Sequence, residues 1–287
     1  MSNQSGHWSR RGVLLGGVAG AVGVLAGGRL ASAAEITQHP AGDRWGGLKI
    51  GCATYTFSKY KVDDAIKWIA RMGLPYCSIK EVHLPLKSTT EERKAVATKF
   101  KEAGITPLSA GVISLSNKED QVRNAFEYVR DIGAPVMVAS PDPVALPLVE
   151  KLVKEFDIKV AIHNHGPEDK KKFPSPDDVM KAVANLDPRI GCCIDVGHCA
   201  RAGTDPAEAI GRIGPRVYDI HMKDVARLDR PSTVECGRGV LDIKGILAAL
   251  RKINFQGHVG FEHEKDMADV VPGLAECVGY VRGIIAG

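Results

Sequence analysis

Aromatic residues make up only 6% of this 287-residue chain, and no tract of lysines and arginines runs through it. Binding to nucleic acid would need stacking faces and a basic surface, so both absences count against it. The seven cysteines (Cys52, Cys77, Cys192, Cys193, Cys199, Cys236 and Cys277) include no Cys-x-x-Cys pair and no zinc-ribbon spacing. Several sit in apolar runs and read as small buried hydrophobes. An oxidising compartment would permit a disulfide among them, but the spacing names no pair. A strongly apolar stretch of about 20 residues, the requirement for a spanning helix, is also missing. The segment from Val13 to Leu30 comes nearest, yet seven glycines interrupt residues 12–28 and Arg29 closes it.

No acidic residue precedes Glu35. This N-terminal segment reads as an export signal. Ser9-Arg10-Arg11-Gly12-Val13-Leu14 is a twin-arginine pattern, the apolar stretch follows, and Ala31-Ser32-Ala33 supplies a small-residue cleavage site. The expected organisation is a signal over 1–33, a linker over 34–47 and a single catalytic domain over 48–287. The mature protein is expected in the periplasm, exported by the twin-arginine route and free of the membrane. The formal charge of +4 includes Arg10, Arg11 and Arg29, so the mature chain carries only about +1.

What is present is a regular alternation. Short apolar runs fall at 48–54, 76–79, 106–109, 135–139, 159–162, 190–194, 216–220 and 257–261. Helical patterns follow at 62–72, 90–103, 118–132, 143–156, 176–185, 206–213, 243–253 and 272–285. Gly73, Gly104 and Gly133 each close a helical run, as left-handed C-caps do. Ser175 and Asp205 each precede a proline, the pattern of an N-cap before Pro at the first helical position. Val122, Phe126, Val129 and Ile132 form one apolar stripe. Eight strand–helix units predict an α/β fold, a (β/α)8 TIM barrel. The competing open sheet would often carry a glycine-rich phosphate loop after its first strand. This chain has Ala53-Thr54-Tyr55-Thr56-Phe57 there instead.

Chemistry in such barrels stands at the C-terminal strand ends. Those ends read Lys80-Glu81-Val82-His83, His163-Asn164-His165, Asp195-Val196-Gly197-His198, His221-Met222-Lys223-Asp224 and Glu262-His263-Glu264. Six of the nine histidines fall in these five segments, a clustering that packing does not explain. Two imidazoles and two carboxylates from His163, Asp195, His221 and Glu262 suit Mn²⁺, Zn²⁺, Co²⁺ or Fe²⁺ better than Mg²⁺ or Ca²⁺. Glu264 reads as a solvated charge, and Glu81 and His83 as either site residues or a structural pair.

The segments Val160-Ala-Ile-His-Asn-His165, Ile194-Asp-Val-Gly-His198, Ile220-His-Met-Lys-Asp-Val225, Gly237-Arg-Gly-Val-Leu-Asp242 and Val259-Gly-Phe-Glu262 carry a resemblance. Their order and spacing make the mature chain similar to the xylose isomerase-like barrel superfamily of sugar isomerases and epimerases. The resemblance implies that Asp195, His221 and Glu262 hold a divalent metal. It also implies that His198 and Arg227 touch substrate, with Lys223 in the His-x-Lys-Asp signature beside them. Many members carry a glutamate where this chain has His163. Epimerases of the superfamily use two carboxylates on opposite substrate faces, one removing a proton next to a carbonyl and one returning it. With an imidazole at 163, the second proton-transfer group must come from His165, Glu81 or His83.

Four functions follow as expectations, all with a small carbohydrate as partner except the nuclease, and with self-association left open. The first is a metal-dependent sugar isomerase or epimerase with Glu262 as base. The second is a lyase or hydratase working on a 3-keto-glycoside at the same site. A nuclease of the endonuclease IV type and a non-catalytic sugar-binding barrel stand behind them. The nearly neutral mature charge opposes the nuclease.

Overall fold

The computed structural model describes residues 44–287. The expected signal and most of the linker lie outside the described residues. Seven parallel strands follow one another around a ring: β1 (Lys49–Ala53), β2 (Tyr76–Ile79), β3 (Thr106–Leu115), β4 (Val136–Pro141), β5 (Lys159–His163), β6 (Ile190–Asp195) and β7 (Val217–Met222). A two-stranded antiparallel hairpin, β8 (Asp224–Val225) and β9 (Thr233–Val234), stands apart from that ring. The ring closes where β10 (His258–Phe261) pairs with both β7 and β1. The expected (β/α)8 barrel is therefore the observed fold.

Helices sit in the connections: α1 (Val62–Arg71), α2 (Thr90–Glu102), α3 (Glu119–Ile132), α4 (Leu146–Phe156), α5 (Pro176–Ala182), α6 (Val196–Arg201), α7 (Pro206–Ile213), α8 (Ile243–Lys252) and α9 (Val271–Ala286). Local signals place their ends. Thr89 and Glu92 form a reciprocal capping box on α2, and Ser175 and Asp178 form one on α5. Asp205 caps α7 by accepting the Glu208 amide at 2.9 Å. Gly133 ends α3 at φ +75°, a conformation that costs a side-chain-bearing residue. The stripe Val122, Phe126, Val129 and Ile132 is fully buried, each side chain contributing about 1.5–3 kcal/mol. Among the described helices, none is long and apolar enough to cross a membrane.

Two features are additional to the sequence expectation. The short α6 begins at Asp195 itself, so one residue ends a strand and caps a helix. The β8–β9 hairpin interrupts what reads as a plain loop. In a strand, successive side chains face opposite sides. Outward side chains meet the helices in the main apolar core, while Val136, Val138, Ala161 and Cys193 form a separate small cluster. Small residues there leave the inward positions above them open to polar groups.

Asp224 fixes the long connection after β7. Its carboxylate accepts four backbone amides, from Val225 at 2.8 Å, Gly237 at 2.9 Å, Gly239 at 3.0 Å and Leu241 at 3.2 Å. A Cβ on Gly239 would lie 2.1 Å from that carboxylate, so only glycine lets the backbone close over it. The Asp of the His-x-Lys-Asp signature is thus a loop anchor. Asp224→Ala leaves these amides without their acceptor and is expected to cost about 3 kcal/mol or more. Thermal denaturation should show a midpoint at least about 6 °C lower.

Candidate active site

Four of the expected residues converge. Ligand-capable atoms of His163, Asp195, His221 and Glu262 all lie within 4.8 Å of one another, and all four residues are buried. They meet because each stands on an inward-facing position at a strand end. His163 and Asp195 are the last residues of β5 and β6, His221 is one short of the end of β7, and Glu262 follows β10. Asp195 pairs in register with His221, and His221 with Gly260.

Hydrogen bonds hold this rim in place. Asn164 clamps Asp195 in both directions, accepting its amide at 3.0 Å and donating to its carbonyl at 3.3 Å. Asp195 Oδ1 accepts the His198 amide at 2.8 Å, which leaves Oδ2 facing the cluster. The Thr56 hydroxyl straddles Glu262, donating to the Phe261 carbonyl at 3.3 Å and accepting the His263 amide at 3.0 Å.

Two lysines complete the cluster. Lys223 Nζ lies 2.9 Å from Asp195 Oδ2, 3.1 Å from Glu262 Oε2 and 2.7 Å from Glu264 Oε2. Lys80 Nζ lies 3.3 Å from Glu262 Oε1 and 3.2 Å from His221 Nε2. Gly197 makes room for the first of these, since a Cβ there would come within 2.8 Å of Lys223 Cγ. Burial alone would raise both carboxylates. The Lys223 ammonium instead draws Asp195 well below the usual range, and His221, Lys223 and Lys80 do the same to Glu262. Burial would likewise lower Lys223, but Asp195, Glu262 and Glu264 hold it well above its ordinary value. Burial keeps His163 well below the ordinary imidazole value, hence neutral and with a free lone pair.

The donor set fits a divalent metal. Both His163 nitrogens are buried without a hydrogen-bond partner, while His221 Nδ1 and Asp195 Oδ2 meet Glu262 and Lys223 as ion pairs. His163 Nε2 stands 3.6 Å from Asp195 Oδ2, and His221 Nδ1 stands 3.0 Å from Glu262 Oε2. Cys193, one layer deeper, forms a second close group with His163 and His221.

Above the cluster lies a cavity of about 360 Å³, walled by Glu81, His165, His198, Lys223 and Glu264, with Tyr55 and Val82 exposed at its edge. His165 packs edge-on against His163 at 4.4 Å between ring centres, and His198 Nε2 lies 4.0 Å from Asp195 Oδ2. Burial lowers His165, with His198 adding to the effect, and burial raises Glu81. A larger cavity of about 550 Å³ opens at the opposite, N-terminal face. Its lining includes none of the four clustered residues.

Two expected substrate contacts are placed elsewhere. His83 turns from the cavity and sets Nε2 3.1 Å and 3.2 Å from the Phe57 and Tyr60 carbonyls, so it braces the segment after β1. Arg227 lies exposed and pairs with Asp229 at 2.8 Å, outside the cavity wall. Glu264 is exposed, as a solvated charge would be, and its carboxylate also reaches Lys223. Lys80 is the residue that sequence reading missed. Strand alternation carries the signal, because Ser78 and Lys80 share a face of β2 while Glu81 falls on the other parity.

The sequence profile of the Xylose isomerase-like TIM barrel family matches residues 66–277. The chain belongs to this family. A stretch of 121 residues is 28% identical to the mannonate dehydratase of Oceanobacillus iheyensis, covering 38% of this chain and 34% of that protein. The chain thus matches about a third of that curated relative. Among solved structures, the IolI protein with a zinc atom superposes with a TM-score of 0.70 at 16% identity, over 83% of this chain and 98% of that one. A D-allulose 3-epimerase from Methylomonas sp. superposes with a TM-score of 0.67 at 13% identity, again over 83% and 98%. At these identities the two structures attest the fold alone.

Two outcomes follow from the site. Manganese or zinc at about 100 times its dissociation constant should stabilise the fold by about 2.7 kcal/mol. The thermal midpoint should then rise about 5–10 °C, and His163→Ala or Asp195→Ala should abolish the rise. In chelator-treated protein, His163 has its folded pKa depressed, so its contribution is present above the unfolded value near 6.5. Stability should therefore fall as pH drops below about 6.5, before the carboxylates add their losses near pH 4, as midpoints measured from pH 8 to 4 would show.

Proposed function

We propose that this chain is a metal-dependent carbon–oxygen lyase acting on a keto-sugar glycoside. The observation that carries the proposal is the composition of the two cavity walls. Glu262 stands on one side with Lys80 and Lys223. The neighbouring wall offers imidazoles, His163, His165 and His198, where a two-carboxylate epimerase would need its second base. One base with a nearby acid is the requirement of β-elimination next to a ketone.

A divalent cation held by His163, Asp195, His221 and Glu262 would act as a Lewis acid on the substrate ketone and acidify the adjacent carbon. Mn²⁺, Zn²⁺, Co²⁺ or Fe²⁺ suits these ligands better than Mg²⁺. Glu262 takes the proton from that carbon. The electron pair becomes the new double bond as the β carbon–oxygen bond breaks. The departing oxygen takes a proton from Glu81 or His165. Burial raises Glu81, so it keeps a proton to higher pH than an ordinary carboxyl and suits the acid role. Lys223 and His198 orient substrate oxygens, and Tyr55 and Val82 offer apolar surface to the sugar ring. The mannonate dehydratase relative supports loss of a carbon–oxygen bond. The twin-arginine pattern at Arg10 and Arg11 supports placing the enzyme outside the cytoplasm.

Epimerisation is the second reading, favoured by His165, which could return the proton from the far side of the ring with Asp169 3.8 Å behind it. A 3-keto-glucoside incubated with manganese-loaded protein in D₂O separates the two. Release of the aglycone with an ultraviolet-absorbing enone is expected. Deuterium uptake with the glycosidic bond intact would instead establish the epimerase, and neither outcome with any keto-sugar would end both readings. Glu262→Gln should reduce turnover about 10²–10⁴-fold.

A further inference from the structure

Sequence spacing names no disulfide, but one cysteine pair is brought together in the fold. Cys236 lies in the loop between β9 and α8, and Cys277 lies in α9. The Cys236 amide donates to Cys277 Sγ at 3.2 Å, and both side chains are buried. His263 Nδ1 lies 3.8 Å from the same sulfur.

We propose that Cys236 and Cys277 form a redox-active dithiol that closes to a disulfide when it meets a low-molecular-weight disulfide. Cys277 attacks one sulfur of the small disulfide and expels the first small thiol. Cys236 then attacks the mixed disulfide, forms the Cys236–Cys277 bond and expels the second. The two protein thiol protons end on the two small thiols, and the two electrons reduce the reagent. The remaining cysteines lack this setting. Burial pushes Cys52 and Cys199 up to about 12 and holds Cys77, Cys192 and Cys193 well above the ordinary value. The hydrogen bond from Cys236 and the adjacent His263 bring Cys277 down to about 5, the direction that makes a thiol a nucleophile.

The bond would tie α9 to the loop carrying Glu235. That residue already holds Lys265 at 2.8 Å, in the segment just beyond Glu262 and Glu264. Closing this loop should raise the thermal midpoint about 5–10 °C. The proposal stands apart from the reaction assigned above.

The test is incubation of the purified, folded protein with oxidised glutathione, then alkylation and peptide mapping. A Cys236–Cys277 peptide, five remaining free thiols and the raised midpoint are expected. Cys236→Ser and Cys277→Ser should each lose the bond and the shift, with the same midpoint before and after incubation. Seven free thiols after incubation, or a different pair linked, would overturn the proposal. So would an oxidised midpoint equal to the reduced one.

Discussion

The Lys223 ammonium is the contact on which the mouth of this barrel depends. Three carboxylates, those of Asp195, Glu262 and Glu264, approach it within 3.1 Å. Ionised carboxylates removed from water are tolerated only when paired. Without that cation, Asp195 and Glu262 would have to take up protons or draw water into the strand ends. Neither would leave them fit to bind a metal or move a proton. The geometry is costly in sequence terms, because the lysine stem must pass Gly197, where a methyl group would block it.

The charges also fit the proposed chemistry. Lys80 and Lys223 bring two positive charges against the three carboxylates, leaving these five groups with one surplus negative charge. A divalent cation would turn that into one surplus positive charge. An oxyanion developing on a bound ketone would then meet a complementary field in a place where water is scarce. The lysines therefore do more than neutralise, since their count sets which charge state of the substrate the site favours.

Much of this was legible in the sequence. Short apolar runs and the helical patterns between them located all eight barrel strands, and the glycine and proline punctuation located helix ends. Because barrel strands deliver alternate residues to one mouth, the strand-end residues could be named before their geometry was known. Asp195, His221, Glu262 and His163 do meet. What stayed hidden depended on side-chain direction. His83 and Lys80 are three residues apart beside the same strand, yet one reaches back to the Phe57 carbonyl and the other enters the cluster. Arg227, expected at the substrate, lies exposed instead, because loop paths decide which charge stays in water. The short α6 was invisible for a similar reason: Asp195 ends one element and caps the next, and patterns of burial do not record that double duty.

The stitch made by Thr56 has a consequence for how the protein matures. Its hydroxyl bonds to residues more than 200 positions away, on either side of Glu262. β10 must slot between β7 and β1 before that stitch exists. Synthesis supplies His163, Asp195 and His221 first, and Glu262 last. The four-residue set is therefore assembled by ring closure itself, and a nascent chain that has made only six or seven strands holds an incomplete chelate. Completion of the barrel and completion of the site are one event.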